Sequence, residues 1–190
     1  MMKRVLAMVL LMLTLSACGK GAGPAEEQVD QMPTAEELGM PETMDLEFVA
    51  GEQVQAIPAT LYIGQGYSIY VPDTGWRKGD EREERIPVEV WESTTEEDVE
   101  IAVYRYGSIP LEEAVTHFLE EQDDYVFQDL LLGNGEVTEP LEGIDDDGDV
   151  LKFIIRIGTD GTYIVSWKYQ NAYSSAASLA EQIVRTFVLT

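Results

Sequence analysis

Chemistry at neutral pH most often needs a group that changes its proton near pH 7, and this chain offers a single histidine, His117. It lies in "PLEEAVTHFLEEQ", beside Thr116 and close to Glu113, Glu120 and Glu121. No nucleophile motif accompanies it. There is no G-x-S-x-G elbow, so Ser-His-Asp hydrolysis has no support. His117 therefore reads as a solvated helix-face residue. "GQG" at Gly64–Gly66 lacks the third glycine and the following helix of a dinucleotide fingerprint, and it reads as a turn. No P-loop occurs.

"DDDGD" at Asp145–Asp149 invites a calcium reading, since clustered carboxylates are hard oxygen ligands. Placing Gly148 at the sixth position of an EF-hand loop puts Gly143 first and Ile154 twelfth, where an acid or amide and a glutamate are needed. The motif fails, and the stretch reads as a polar turn, with Asp145, Asp147 and Asp149 the only metal-ligand candidates. Trp76, Trp91, Tyr104 and Tyr106, with Trp167 and Tyr169, are candidates for a groove that takes a sugar or a peptide. Aromatics placed on strand faces in this way are more often core or sheet packing. With 36 acids in the chain, two carboxylates always lie near one another, so spacing cannot identify a glycosidase pair. No cofactor is expected.

The one cysteine, Cys18, sits in "LTLSACGK". Lys3 and Arg4 precede an apolar run from Val5 to Leu15, which has the length of a signal-peptide core. A membrane span needs roughly twenty apolar residues, so this run is too short to anchor the chain by itself. Leu15-Ser16-Ala17-Cys18 resembles the bacterial lipobox, where a peptidase cuts before the cysteine and its thiol carries diacylglycerol. Small residues at Ser16 and Ala17 admit the backbone to a narrow protease groove, and a thiolate is the nucleophile that alkylation requires. The resemblance implies a lipoprotein, palmitate-type acylation at Cys18, and a lipid-anchored location on the extracytoplasmic face of the cell membrane. Residues 1–17 are then the signal. With no second cysteine, the chain can form no internal disulfide and no Cys-based metal site.

The chain has 12 basic and 36 acidic residues, a formal net charge of −24, and loss of the signal removes two bases and no acid. Such acidity repels phosphate backbones, so nucleic acid is not expected as a partner. Gly19–Met44 has glycine and proline punctuation, many acids, no aromatics and no sustained apolar period. Residues 18–44 thus read as a lipidated cysteine and a flexible acidic tether, dispensable for folding, with an r.m.s. reach of about 30 Å. A capping box at Thr34 and Glu37 is compatible with one helical turn there.

Residues 45–190 read as one core-bearing domain. "DVLKFIIRIG" alternates Leu151, Phe153, Ile155 and Ile157 inward with Lys152 and Arg156 outward, and "TYIVSWKY" places Tyr163, Val165, Trp167 and Tyr169 on one face. "TDG" at Thr159–Gly161 joins them as a hairpin. "IPVEVWE" with "VEIAVYRY", and "TLYIG" with "YSIYVP", predict two more. Leu111, Ala114, Val115, Phe118 and Leu119 form a helical stripe, and a closing helix over about Ser174–Phe187 buries Ala176, Leu179, Ala180, Ile183 and Phe187. The pattern predicts an α+β fold, an antiparallel meandering sheet with two main helices packed on it.

"YSIYVPDTGW" (Tyr67–Trp76) and the final "IVRTF" (Ile183–Phe187) resemble the PsbP-like α/β/α sandwich superfamily over roughly Thr60–Thr190. That superfamily is mostly non-enzymatic, so the resemblance implies its sandwich fold and a binding or accessory role. The expected function is a tethered, non-catalytic module, its partners the bilayer through Cys18 and an envelope protein or small ligand. The alternative is an envelope hydrolase that uses carboxylates on surface loops.

Overall fold

The computed structural model describes residues 32–80, 82–83, 86–127, 135–170 and 174–190. Its elements are α1 (Ala35–Leu38), β1 (Thr43–Ala50), β2 (Gln53–Gly64), β3 (Tyr67–Pro72), β4 (Trp76–Lys78), β5 (Arg82–Glu83), β6 (Pro87–Ser93) and β7 (Glu100–Gly107). They continue as α2 (Leu111–Glu121), β8 (Val126–Phe127), β9 (Val137–Ile144), β10 (Val150–Gly158), β11 (Gly161–Tyr169), α3 (Ser175–Arg185) and β12 (Val188–Leu189).

The strands form two curled antiparallel sheets. The smaller runs β1-β2-β3-β12, and the larger runs β4-β6-β7-β11-β10-β9-β8 with β5 paired to β6. Strand makes up 51% and helix 18% of the described residues, which corrects the α+β expectation: the fold is predominantly β, not a sandwich with two main helices. The layer layout drawn from the PsbP-like resemblance is corrected with it. The physical reason lies in the face count. The sequence reading packed two main helices on a single sheet. The chain instead covers one face of the large sheet largely with a second sheet.

The three predicted hairpins are present, and β10 and β11 close on Gly158 opposite Gly161. Gly161 has φ 137°, and a Cβ there would lie 1.7 Å from the Gly107 carbonyl oxygen, so glycine is required. The strict inside–outside alternation does not hold. β11 is buried on both faces, Thr162 and Ser166 included. One face of the large sheet packs Val88, Val90, Tyr104, Phe153 and Ile164 against Ala114, Val115 and Phe118 of α2. The other packs Ile101, Val103, Val165 and Trp167 against α3 and the small sheet.

Two pieces of chain guard the small sheet. Ser178 of α3 accepts a hydrogen bond from the Val49 amide at 2.9 Å, which satisfies a donor on edge strand β1. Residues 34–42 form a strap over β3 that leads into β1. Thr34 and Glu37 make a capping box, the Tyr70 hydroxyl donates to the Pro41 carbonyl at 2.6 Å, and Met40 packs into the core beside Ser68. The compact unit therefore starts at Met32, and the part of the expected tether from Thr34 to Met44 is built into it. No helix among the described residues is long and apolar enough to cross a membrane.

Candidate functional site

A cleft of about 670 Å³ opens where α3 lies across β9, β10 and β11. The register explains why it forms there. β9 pairs Leu141 with Phe153 and Val137 with Ile155, so Thr138, Glu139 and Pro140 span the interval of Ile154 alone. Pro140 has no amide proton for the ladder, and β9 bulges away from Ile154. Thr138, Glu139, Pro140 and Ile154 all line the resulting recess.

Its floor is apolar, made by Ile154, Trp167, Val184 and Phe187, each under a tenth exposed. Its rim is charged. Lys152 lies directly opposite Glu142 on β9 and opposite Trp167 on β11. Its ammonium donates to Glu181 of α3 at 2.8 Å, lies 3.5 Å from Glu142, and sits 5.6 Å from the centre of the Tyr169 ring. Burial by itself would lower the Lys152 pKa, but the hydrogen bond to Glu181 and the contact with Tyr169 outweigh it and hold the ammonium above the ordinary lysine range. Lys152 stays charged. Arg156 reaches Glu136 at 3.4 Å, and Arg185, in the last turn of α3, has no ion pair among the described residues. The Trp167 indole N–H is buried and finds no acceptor among the described residues. An unpaired buried donor costs about 1–3 kcal/mol.

The aromatic candidates do not meet. Trp76 and Trp91 are buried in the core between the sheets, where Trp91 packs edge-on to Tyr62. Tyr104 and Tyr106 are buried on the opposite face of the large sheet, Tyr104 edge-on to Phe118. These four are packed and none lines the cleft, whereas Trp167, from the same set of aromatics, does.

Asp145 shapes the turn between β9 and β10. Its carboxylate accepts the amides of Asp147 and Asp149 at 3.0 and 2.8 Å. Burial, then the nearby carboxylates led by Asp145, raise the pKa of Asp149. The same turn, after burial, pushes Tyr125 up to about 12. Among the described residues, no three His, Cys, Asp or Glu side chains are arranged to hold a metal ion. His117 is half-buried, with Nδ1 3.4 Å from both the Tyr106 hydroxyl and Glu121. Cys18 and its surrounding motif lie outside the described residues.

The sequence reading named Trp167 as a groove aromatic and missed Lys152, Arg156, Glu181 and Arg185 as the charged group around it. A signal was present: in a base-poor chain, Lys152, Arg156 and Arg185 crowd into the last 40 residues.

No family model matches the chain, and no curated protein matches it. A similar solved structure is a crystal structure from Bacteroides thetaiotaomicron VPI-5482 at 1.50 Å resolution, at 15% identity and a TM-score of 0.42. The match covers 68% of this chain and 48% of that one, so this chain spans about half the length of its neighbour.

Proposed function

We propose that the protein is an extracytoplasmic lipoprotein, tethered through acylated Cys18, whose β-domain is a non-catalytic binding module. The anchor rests on Lys3 and Arg4, the apolar run and "LSAC", in that order. The binding role rests on one observation, the cleft over Ile154. Its volume falls within the range of about 300–1,000 Å³ common to small-molecule sites, and it sets an apolar floor under a charged rim. Its side chains favour holding over reacting. Lys152 is committed to two carboxylates, and no serine, cysteine or histidine is among the described lining residues.

Detergent-phase partitioning and intact mass of the native protein, beside Cys18→Ala, test the anchor. The native chain should enter the detergent phase with a diacylglycerol adduct, and the variant should not. An unmodified native chain in the aqueous phase overturns it. A fragment screen by NMR, read at the Trp167 indole N–H, tests the cleft. Fragments should shift that resonance and be recovered chemically unchanged. Hits confined to other surfaces overturn the cleft as the site, and turnover of a fragment overturns the non-catalytic reading.

A further inference from the structure

We infer that the cleft takes a small organic anion with an apolar body, its carboxylate held by Arg156 and Arg185 and its body laid on Trp167 and Phe187. This rests on the reading of the cleft as a ligand site and names the ligand's chemistry.

Charge is the first argument. In a chain with 36 acids and 12 bases, three bases line one recess. Glu142 and Glu181 both face Lys152, so these two acids are already neutralised in part. The remaining lining charges are Arg156 and Arg185 against Glu139. Arg156 holds only a 3.4 Å contact at the rim, and Arg185 is unpaired among the described residues although acids outnumber bases threefold. Its place in the last turn of α3 suits the helix dipole. The dipole does not account for Arg156, which β10 brings to the same recess. Two guanidinium groups on one recess match the planar, bidentate demand of a carboxylate.

The floor supplies the second argument. Trp167 and Phe187 line the apolar floor of the recess that holds those cations. Repulsion by the net charge of −24 is offset locally, because Lys152, Arg156 and Arg185 match in number the three acids of the lining.

The test uses the acylated full chain in nanodiscs of zwitterionic lipid, titrated with 3-phenylpropionate, its neutral amide, and 3-phenylpropylamine. Binding is read at the Trp167 indole resonance, with Trp76 and Trp91 reporting that the fold is unchanged. The propionate should saturate the shift and bind at least about tenfold tighter than the amide, with the amine weakest. Arg185→Gln combined with Arg156→Gln should erase the preference for the propionate while leaving amide binding in place. Equal binding of propionate and amide, or tighter binding of the amine, overturns the anion assignment and leaves the cleft as a ligand site. Failure of all three probes up to about 10 mM overturns the assignment as well, and the fragment screen then decides whether the site falls with it.

Discussion

The Tyr62 hydroxyl on β2 donates a hydrogen bond to the Glu89 carboxylate on β6, joining the two sheets through side chains. Lys78 on β4 completes the group, its ammonium 2.7 Å from the Tyr62 oxygen and 2.8 Å from Glu89. Burial, then the Glu89 carboxylate, raises the Tyr62 pKa, so the phenol keeps the proton it donates. In a double-mutant cycle with Tyr62→Phe and Glu89→Gln, the coupling in chemical denaturation should be about 1–2 kcal/mol. Additive losses would mean that the sheets are joined by apolar packing alone.

The strap of residues 34–42 should contribute to stability. A chain starting at Asp45 loses the Tyr70–Pro41 hydrogen bond and the Met40 cover over buried Ser68. Compared with a chain starting at Met32, it should lose at least about 2 kcal/mol, of which Tyr70→Phe alone reproduces about 1 kcal/mol. Equal denaturation midpoints would return residues 34–44 to the role of a tether.

Asp149 has a pH signature. Its folded pKa is raised by burial and by Asp145, so the folded state binds this proton more tightly than the unfolded chain. The penalty is complete at pH 7, above the raised value. It is relieved as pH falls, and is gone below the ordinary aspartate pKa of about 3.9. Asp149→Asn should therefore raise the melting temperature at pH 7, and the gain should disappear near pH 3. A gain that persists at pH 3 would not come from this charge.

Gly161→Ala tests the hairpin between β10 and β11. The positive φ and the 1.7 Å approach to the Gly107 carbonyl leave no room for a methyl group between β11 and β7. The substitution should cost at least about 2 kcal/mol in urea denaturation. Gly148→Ala sits at φ 90° with open space around its Cβ, and it should cost less. Equal losses would place the whole effect in backbone conformation.

Much of the local structure was legible in the sequence. Alternation in "DVLKFIIRIG" and "TYIVSWKY", with "TDG" between them, describes a hairpin because strand period and turn chemistry act over a few residues. The α2 stripe was legible for the same reason, and its Ala114, Val115 and Phe118 are buried. The β1–β2 hairpin was less so. Val49 and Val54 are exposed, so the usual apolar signal is blurred. Tether-like composition also hid the strap, whose order comes from Tyr70 and Ser68 on a distant strand.

By itself, the sequence determined the hairpins, the two longer helices, the acidic charge and the expectation of a lipidated Cys18, all set by neighbours along the chain. Only the tertiary structure decided how many layers the strands make and where a ligand site opens. β12 returns to pair with β3, and α3 packs across β11 and the small-sheet strands β1 and β3. Lys152 and Arg156 occupy outward positions in any local reading of β10. They line a recess because Glu181 and Arg185, some 30 residues on, are folded back above them while the bulge at Pro140 draws β9 aside. Contacts of that range depend on packing and register, which no short window of sequence encodes.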